Sequence, residues 1–538
     1  MRSIYSFLLF AFLVLIGCSD ETQVFQDAVT SMDVITNEVE LQSSVNFDKS
    51  GVLDLNNWEL ASQKKTQAGN YPLTLVAQIQ PPAYQGVQQM TATHVDIHDD
   101  LIYVSYNTPD AVYQGAIDII NIANPESPVV QSRVYFTNAD VSALAYHNNY
   151  VFAVGGVDAE QSDLAPTNSF VARLPIANGR FSLGSGVKFG FQEGFVATDV
   201  GINTQGIWVS SGQDGSLTRY NEELETQAEA SFQDLRSLAI RDGQIATLDG
   251  SYGIRLLNSN METQVEIPVN LNFGLAEKRS ISFAEDKVAL AEGRSGSSLY
   301  NLVTGQQEAT ISIPVNPEGV DGGDRVTNAA ALNQELWLMA NGGAGLALID
   351  RERQNEFLGV VELEGSINYV ASQGDYIFAA SGREGLQIIK LNRVLDFNAL
   401  CENAVNYSGP NNMIIASGTT EAYRGSKSLR SMTVNGDVLL CGNYTVRNEV
   451  NLNENSSVDM QGRLYVGRNN RRQNLHLKAG ATLRISGGLV VYGDLILDPG
   501  ARIEFLESNF NYAAIRGTVQ MAESSSVQGS FRDIWNKF

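Results

Sequence analysis

Only four histidines stand in the 538 residues, and two of them, His94 and His98, have a spacing that invites a metal. The surrounding "THVDIHDD" alternates as a strand does. In a strand, residues four apart lie about 13 Å from each other, whereas zinc ligands sit about 2 Å from their ion. One ion cannot take both. His98 and His147 recur beside equivalent polar turns, which makes them turn residues. "VDGGDR" at 320–325 offers Asp321 and Asp324 as calcium oxygens, but the same residues build an ordinary polar loop. No GxSxG elbow, HExxH pair, Walker loop or EF-hand loop occurs. "GGAGLAL" at 342–348 lacks the third glycine of a dinucleotide loop and precedes a strand. Carboxylate pairs are abundant, as chance alone provides with 60 Asp and Glu. The sequence therefore assigns no catalytic residue, no metal and no cofactor, and it reads as a binding protein rather than an enzyme.

The net charge of −24 and pI near 4.6 exclude a nucleic-acid partner, since phosphate binding is driven by Lys and Arg that release counterions. The acids concentrate in the first four hundred residues. The remainder is near neutral and carries the basic "GRNNRRQ" at 467–473.

The elements that would position any site come from a repeat. Seven segments, "LIYVSYN", "YVFAVGG", "GIWVSSG", "QIATLDG", "KVALAEG", "LWLMANG" and "YIFAASG", align on Tyr103, Phe152, Trp208, Ala246, Ala289, Trp337 and Phe378. Their mean spacing of about 46 residues suits four-stranded propeller blades. Four residues on stand Asn107, Gly156, Gly212, Gly250, Gly293, Asn341 and Gly382, types that tolerate a left-handed backbone, so one turn geometry is expected seven times. Residues 115–133, "GAIDIINIANPESPVVQSR", resemble the LVIVD-type repeat of bacterial surface propellers, and "GLALID" and "GLQIIKL" are weaker copies. The resemblance implies a seven-bladed β-propeller over residues 71–395 and carries no catalytic residues. Six or eight blades would follow if the unit near 195–230 were misread. The last unit stops after its third strand, while "YPLTLVAQI" at 71–79 stands alone, so residues 73–79 are expected to complete it non-locally and remove an exposed edge.

After residue 430 the unit shortens to "NLHLKAG", "ATLRISG", "GLVVYGD" and "LILDPGA". Leu475 recurs at Leu495 and Leu483 at Ile503, a coil of about twenty residues. This predicts a right-handed parallel β-solenoid over 396–538, similar in pattern to the C-terminal solenoids of exported Bacteroidetes proteins. A small jelly roll is the alternative. The basic cluster interrupts the rhythm and reads as a loop thrown out of one coil.

At the N-terminus, Arg2 precedes an apolar run at 7–16, the size of a signal-peptide core and too short to span a bilayer. Leu15, Ile16, Gly17 and Cys18 resemble the lipobox of bacterial lipoproteins, which implies cleavage after residue 17 and acylation of Cys18. Ser19, Asp20 and Glu21 resemble the acidic surface-export signals of Bacteroidetes lipoproteins. Residues 18–70 then read as an acidic, solvated tether, with a short helix as the alternative. Removing Cys18 to the lipid leaves Cys401 and Cys441 as a disulfide candidate, against two free buried thiols.

These readings predict an all-β, lipid-anchored protein of the outer membrane or cell surface. Its propeller would bind or adhere to an extracellular or periplasmic protein or polysaccharide. A propeller-based hydrolase or lyase, or a scaffold subunit of an envelope complex, are the rival classes. The longest interruption of the repeat, residues 155–168, falls between second and third strands, with Asp158 and Asp163 in it. Equivalent loops carry Tyr106, Gln213, Asp249, Arg294 and Arg383, and these seven residues are the candidate ligand contacts.

Overall fold

The computed structural model describes residue 27 and residues 30–53, 55–56, 73–84, 88–109, 112–184, 186–241, 243–269, 279–284, 286–313, 320–332, 336–351, 354–392, 397–506 and 510–538. Cys18 and the lipobox lie outside them. Of the described residues, 61% are strand and 3% helix, and the chain divides into two units, Met1–Arg393 and Val394–Phe538.

In the first unit, successive strands within a series pair antiparallel. Leu101–Asn107 lies between Thr91–His98 and Gly115–Asn121, and Val129–Phe136 completes that series. The same order recurs from Ala139–His147 and from Ala197–Asn203. Thr226–Arg241 is one unbroken 16-residue strand that closes the third series with its first half and opens the fourth with its second. Two series thereby share one seven-stranded sheet. Ile281–Ala284 and Arg325–Leu332 open the next two, and Tyr369–Gln373 opens the last. All seven aligned residues, from Tyr103 to Phe378, are fully buried in second strands, which is why bulky apolar types dominate there.

The last series is completed non-locally. Leu73–Ile79 pairs antiparallel with Leu386–Leu391, in the register Leu386 opposite Ile79 and Leu391 opposite Leu73. Leu73, Leu75, Ala77 and Ile79 are buried, so this strand's alternate side chains are core.

The segment expected to be a solvated tether departs from that expectation over residues 32–56. Met32–Ile35 adds an outer strand to Val129–Phe136, Val45–Asn46 and Gly51–Leu53 add to Leu73–Ile79, and Leu55–Asn56 adds to Glu356–Val361. Between them, helix Glu38–Gln42 is capped by Asn37 and buries Leu41 completely. The cause is the edge itself: outer strands leave backbone N–H and C=O groups unpaired, and a nearby chain satisfies them. The added strands are two to four residues long, too short to show a period in sequence.

The second unit is a β-solenoid of about six turns. Every strand pairing described in it is parallel, which excludes the antiparallel jelly roll. Leu475 stacks on Leu495 and Leu483 on Ile503, as their recurrence predicts. Columns of Leu, Val and Ile fill the interior. At one corner Gly442, Gly462 and Gly487 stack, each with positive φ (129°, 134° and 144°). A Cβ on Gly462 would stand 2.0 Å from the Gly442 carbonyl oxygen, so the column admits only glycine. Cys401, in helix Phe397–Asn403, is joined by a disulfide to Cys441 in Asp437–Val446.

Candidate functional site

In the fifth, sixth and seventh series the turn after the second strand bonds to the start of a neighbouring series. Thr327 N donates to Gly293 O at 2.9 Å, Ile367 N to Gly342 O at 3.1 Å and Ala92 N to Gly382 O at 2.9 Å. Of the seven aligned Gly and Asn positions, only Gly293 and Gly382 have positive φ (60° and 52°); in the sixth series it is Gly342, beside Asn341. The expectation of one left-handed geometry seven times is thus corrected. At Gly250, with ordinary φ, a Cβ would lie 2.4 Å from Asp234 Oδ2, so the requirement there is space.

First strands also bond to one another. Four of them shift register at equivalent places, between Ala92 and His94, Val141 and Ala143, Ala197 and Asp199, and Leu235 and Ser237. Such bulges re-aim one side chain out of the alternation. Thr93 Oγ1 accordingly donates to Val141 O at 2.9 Å, and Thr198 Oγ1 to Leu235 O at 3.0 Å. Ile281 N donates to Ser237 Oγ at 3.3 Å, Ser282 Oγ to Ala330 O at 3.0 Å and Asn328 Nδ2 to Ile367 O at 3.1 Å. From the last series back to the first, Asn368 Nδ2 donates to Ala92 O at 2.8 Å.

Ionisable groups sit among these strands. Asp96 Oδ2 accepts Tyr146 N at 2.7 Å, and burial pushes its carboxyl up to about 6. Asp140 Oδ1 accepts Gln114 N at 3.1 Å, and burial pushes it up to about 7. Asp199 Oδ2 accepts Ser237 Oγ at 2.5 Å and Leu238 N at 3.2 Å. The Tyr369 hydroxyl is raised far above its ordinary value by burial and then by the charges of Asp199 and Asp96, and its ring lies 4.1 Å from that of His94. Arg236 pairs with Asp234 at 2.6 Å, while Arg279 reaches Asn328 Oδ1 at 3.2 Å and is pushed down to about 10 by burial and by Arg236. Asp96 and Asp199 each accept a backbone N–H group of a neighbouring first strand.

The seven candidate contacts divide sharply. Tyr106 is fully buried; its ring packs in the apolar core between Ala92 and Ala116, and burial with the charge of Asp118 raises its hydroxyl. Asp249 is 1% exposed and accepts Ser251 N at 2.8 Å and Ser251 Oγ at 2.5 Å, closing its own turn. Neither can meet a ligand at the surface as placed. Arg294 and Arg383 are exposed on turns of two different sheets, Gln213 is exposed at the start of strand Gln213–Tyr220 in a third, and Asp163 is exposed on the inserted loop. Asp158 caps the short helix Ala159–Gln161 and accepts Gln161 Nε2 at 2.6 Å. The insertion is anchored by a residue the sequence did not single out. The Asp27 carboxylate accepts Ser162 Oγ at 2.7 Å, Asp163 N at 2.8 Å and Leu164 N at 3.0 Å. No spacing in the sequence signals a contact across 135 residues. His98 lies at the solvent edge, 3.5 Å from the Asp99 carboxylate, and Asp321 Oδ1 accepts Gly323 N at 3.1 Å within its own turn.

No family model matches the chain, and no curated protein matches it. Among solved structures it is similar to the computationally designed Ika8 protein, at 9% identity and a TM-score of 0.38, over 58% of this chain and 98% of that one. A likeness of that size carries no argument.

Proposed function

We propose that residues 71–395 form a seven-bladed propeller on a lipid-anchored envelope protein, followed by a right-handed solenoid, and that its exposed turns bind a protein or polysaccharide outside the cytoplasm. The observation that carries the reading is the circuit of first strands: they touch in chain order through all seven series, and the last touches the first. Rigid strands must keep their period to pack, while loops need not, so specificity belongs to the turns and to the 155–168 insertion. Exposed Arg294 and Arg383 with Asp163 supply both signs of charge to such a surface. The Cys401–Cys441 disulfide supports export, because such bonds persist in oxidising compartments.

Replacing residues 157–167 by a short Gly-Ser link tests the assignment, with Asp27→Asn as the control that only loosens the loop's anchor. Expected is a loss of partner capture of about tenfold or more, the scale of one or two interface anchors, with the fold retained. Capture that survives the replacement but disappears on removing residues 401–538 would transfer the function to the solenoid.

The grouping of His94, Tyr369, Asp96 and Asp199 favours a second reading, a hydrolase or lyase. Its test is Asp199→Asn, which would abolish turnover of a bound polysaccharide and leave capture intact.

A further inference from the structure

The basic interruption of the solenoid builds a groove. Successive coils advance by 20 residues from Asp437 to Ser457, then by 25 from Ser457 to Thr482, and the surplus is the loop around 467–474. Outward-facing Asn451, His476 and Ile496 stack in register on three coils, each between two buried neighbours, and form the floor. Arg471, Arg472 and Gln473 line it from the loop, and Asn448 and Glu449 from the preceding corner, enclosing about 470 Å³.

The loop is held in place from several sides. Arg468 and Arg471 exchange backbone hydrogen bonds of 3.0 and 2.9 Å, Gly493 N donates to Gln473 O at 2.9 Å, and Asn469 Oδ1 accepts Arg516 Nη1. A wall fixed in this way costs little ordering when a ligand arrives. Its charges are uncommitted: the exposed guanidiniums of Arg471 and Arg472 and the carboxylate of Glu449 have no ion pair or side-chain hydrogen bond among the described residues. His476 Nε2 lies 3.0 Å from Asp498 Oδ1.

We propose that this groove binds a segment of an acidic polysaccharide whose negative groups are carboxylates, that is, a uronate chain. Two guanidiniums on one wall match carboxylates spaced along a chain and can grip them through paired N–H donors. The amides of Asn448, Asn451 and Gln473, with Glu449 as an acceptor, match hydroxyls, which both donate and accept. Ile496 supplies a small apolar area for one sugar face. A single-stranded nucleic acid fits less well, because no Phe, Tyr or Trp ring lines the groove to stack a base. A peptide fits less well because nothing there forms an apolar pocket for an anchoring side chain. The proposal concerns a different unit from the propeller turns and stands or falls apart from them.

Calorimetric titration of the full-length protein at low salt tests it, using a uronate hexasaccharide, its carboxyl-reduced neutral counterpart, a sulfated hexasaccharide and a polyglutamate peptide. The uronate should bind at least tenfold more tightly than the other three. Arg471→Ser with Arg472→Ser should weaken it about 100-fold, the scale of two charge-assisted contacts. Arg468→Ser, which removes an adjacent charge that does not line the groove, should change affinity less than about threefold, and melting curves should show all variants folded. Absence of uronate binding by the parent, equal or better binding of any other probe, or equal weakening by Arg468→Ser would overturn the proposal.

Discussion

Asp96 shows how a side chain in this molecule is governed by what surrounds it. An aspartate in water titrates near 3.9, and burial raises Asp96 to about 6 while Tyr146 N holds one oxygen. With the folded value above the unfolded one, the stability it contributes is complete below about pH 4 and is lost as pH rises through 6. Above that, the folded chain carries a buried charge. Asp96→Asn keeps an acceptor for Tyr146 N and removes the charge. The variant should therefore be more stable than the parent by about 3 kcal/mol at pH 8, with the difference vanishing near pH 4. Denaturant titrations at both pH values check this, and equal stability at pH 8 would show that the carboxylate is well solvated. The residue scale was also where sequence reasoning failed most. Tyr106 and Asp249 have the types and spacing of rim residues, yet one is core and the other closes its own turn.

At the scale of elements, the strand Leu73–Ile79 matters most for its length. It pairs with Leu386–Leu391 on one side and with Val45–Asn46 and Gly51–Leu53 on the other, and it buries Leu73, Leu75 and Ile79. Burying each such side chain is worth about 1.5–3 kcal/mol, so removing all three takes roughly 5 kcal/mol or more from a net stability of about 5–15. Deleting residues 71–79 should lower the melting temperature by roughly 10 °C or more, or leave no folded first unit. A deletion protein that melts with the parent would show that the last sheet stands without it. In the solenoid, the disulfide ties helix Phe397–Asn403 to the coil strand Asp437–Val446 across a sequence separation of 40 residues. The chain-entropy model assigns such a loop about 4 kcal/mol.

For the whole molecule the governing facts are an acidic first part, a near-neutral solenoid and an N-terminal segment that resembles a lipoprotein signal. Acyl chains contribute about 0.8 kcal/mol per buried methylene, so two or three hold a protein on a membrane for practical purposes permanently. Cys18→Ala should move the protein from the detergent phase to the aqueous phase on phase partitioning, or leave an unprocessed precursor. Unchanged membrane partitioning would remove the anchor from the account. Residues 32–35, 45–46, 51–53 and 55–56 lie along outer strands of the first unit, so these stretches do not serve as the solvated tether expected of residues 18–70.

The sequence by itself determined whatever repeats locally. Alternation and turn residues specify each hairpin series, the twenty-residue period specifies the coils, and the recurrence of Leu475 at Leu495 specifies their register, since each is set by neighbours a few residues away or by a column of like side chains. The unpaired strand at 73–79 was legible for a related reason: a missing element at one end of a repeat and a spare one at the other complement each other. Only the tertiary structure decided the docking of residues 32–56, the hold of Asp27 on a loop 135 residues away, the glycine column at the solenoid corner, and the burial that separates Tyr106 and Asp249 from Arg294 and Arg383. Those outcomes depend on which surfaces meet in space. A carboxylate or a short strand carries no mark in sequence of the partner that will satisfy it, because any unpaired backbone group within reach would do.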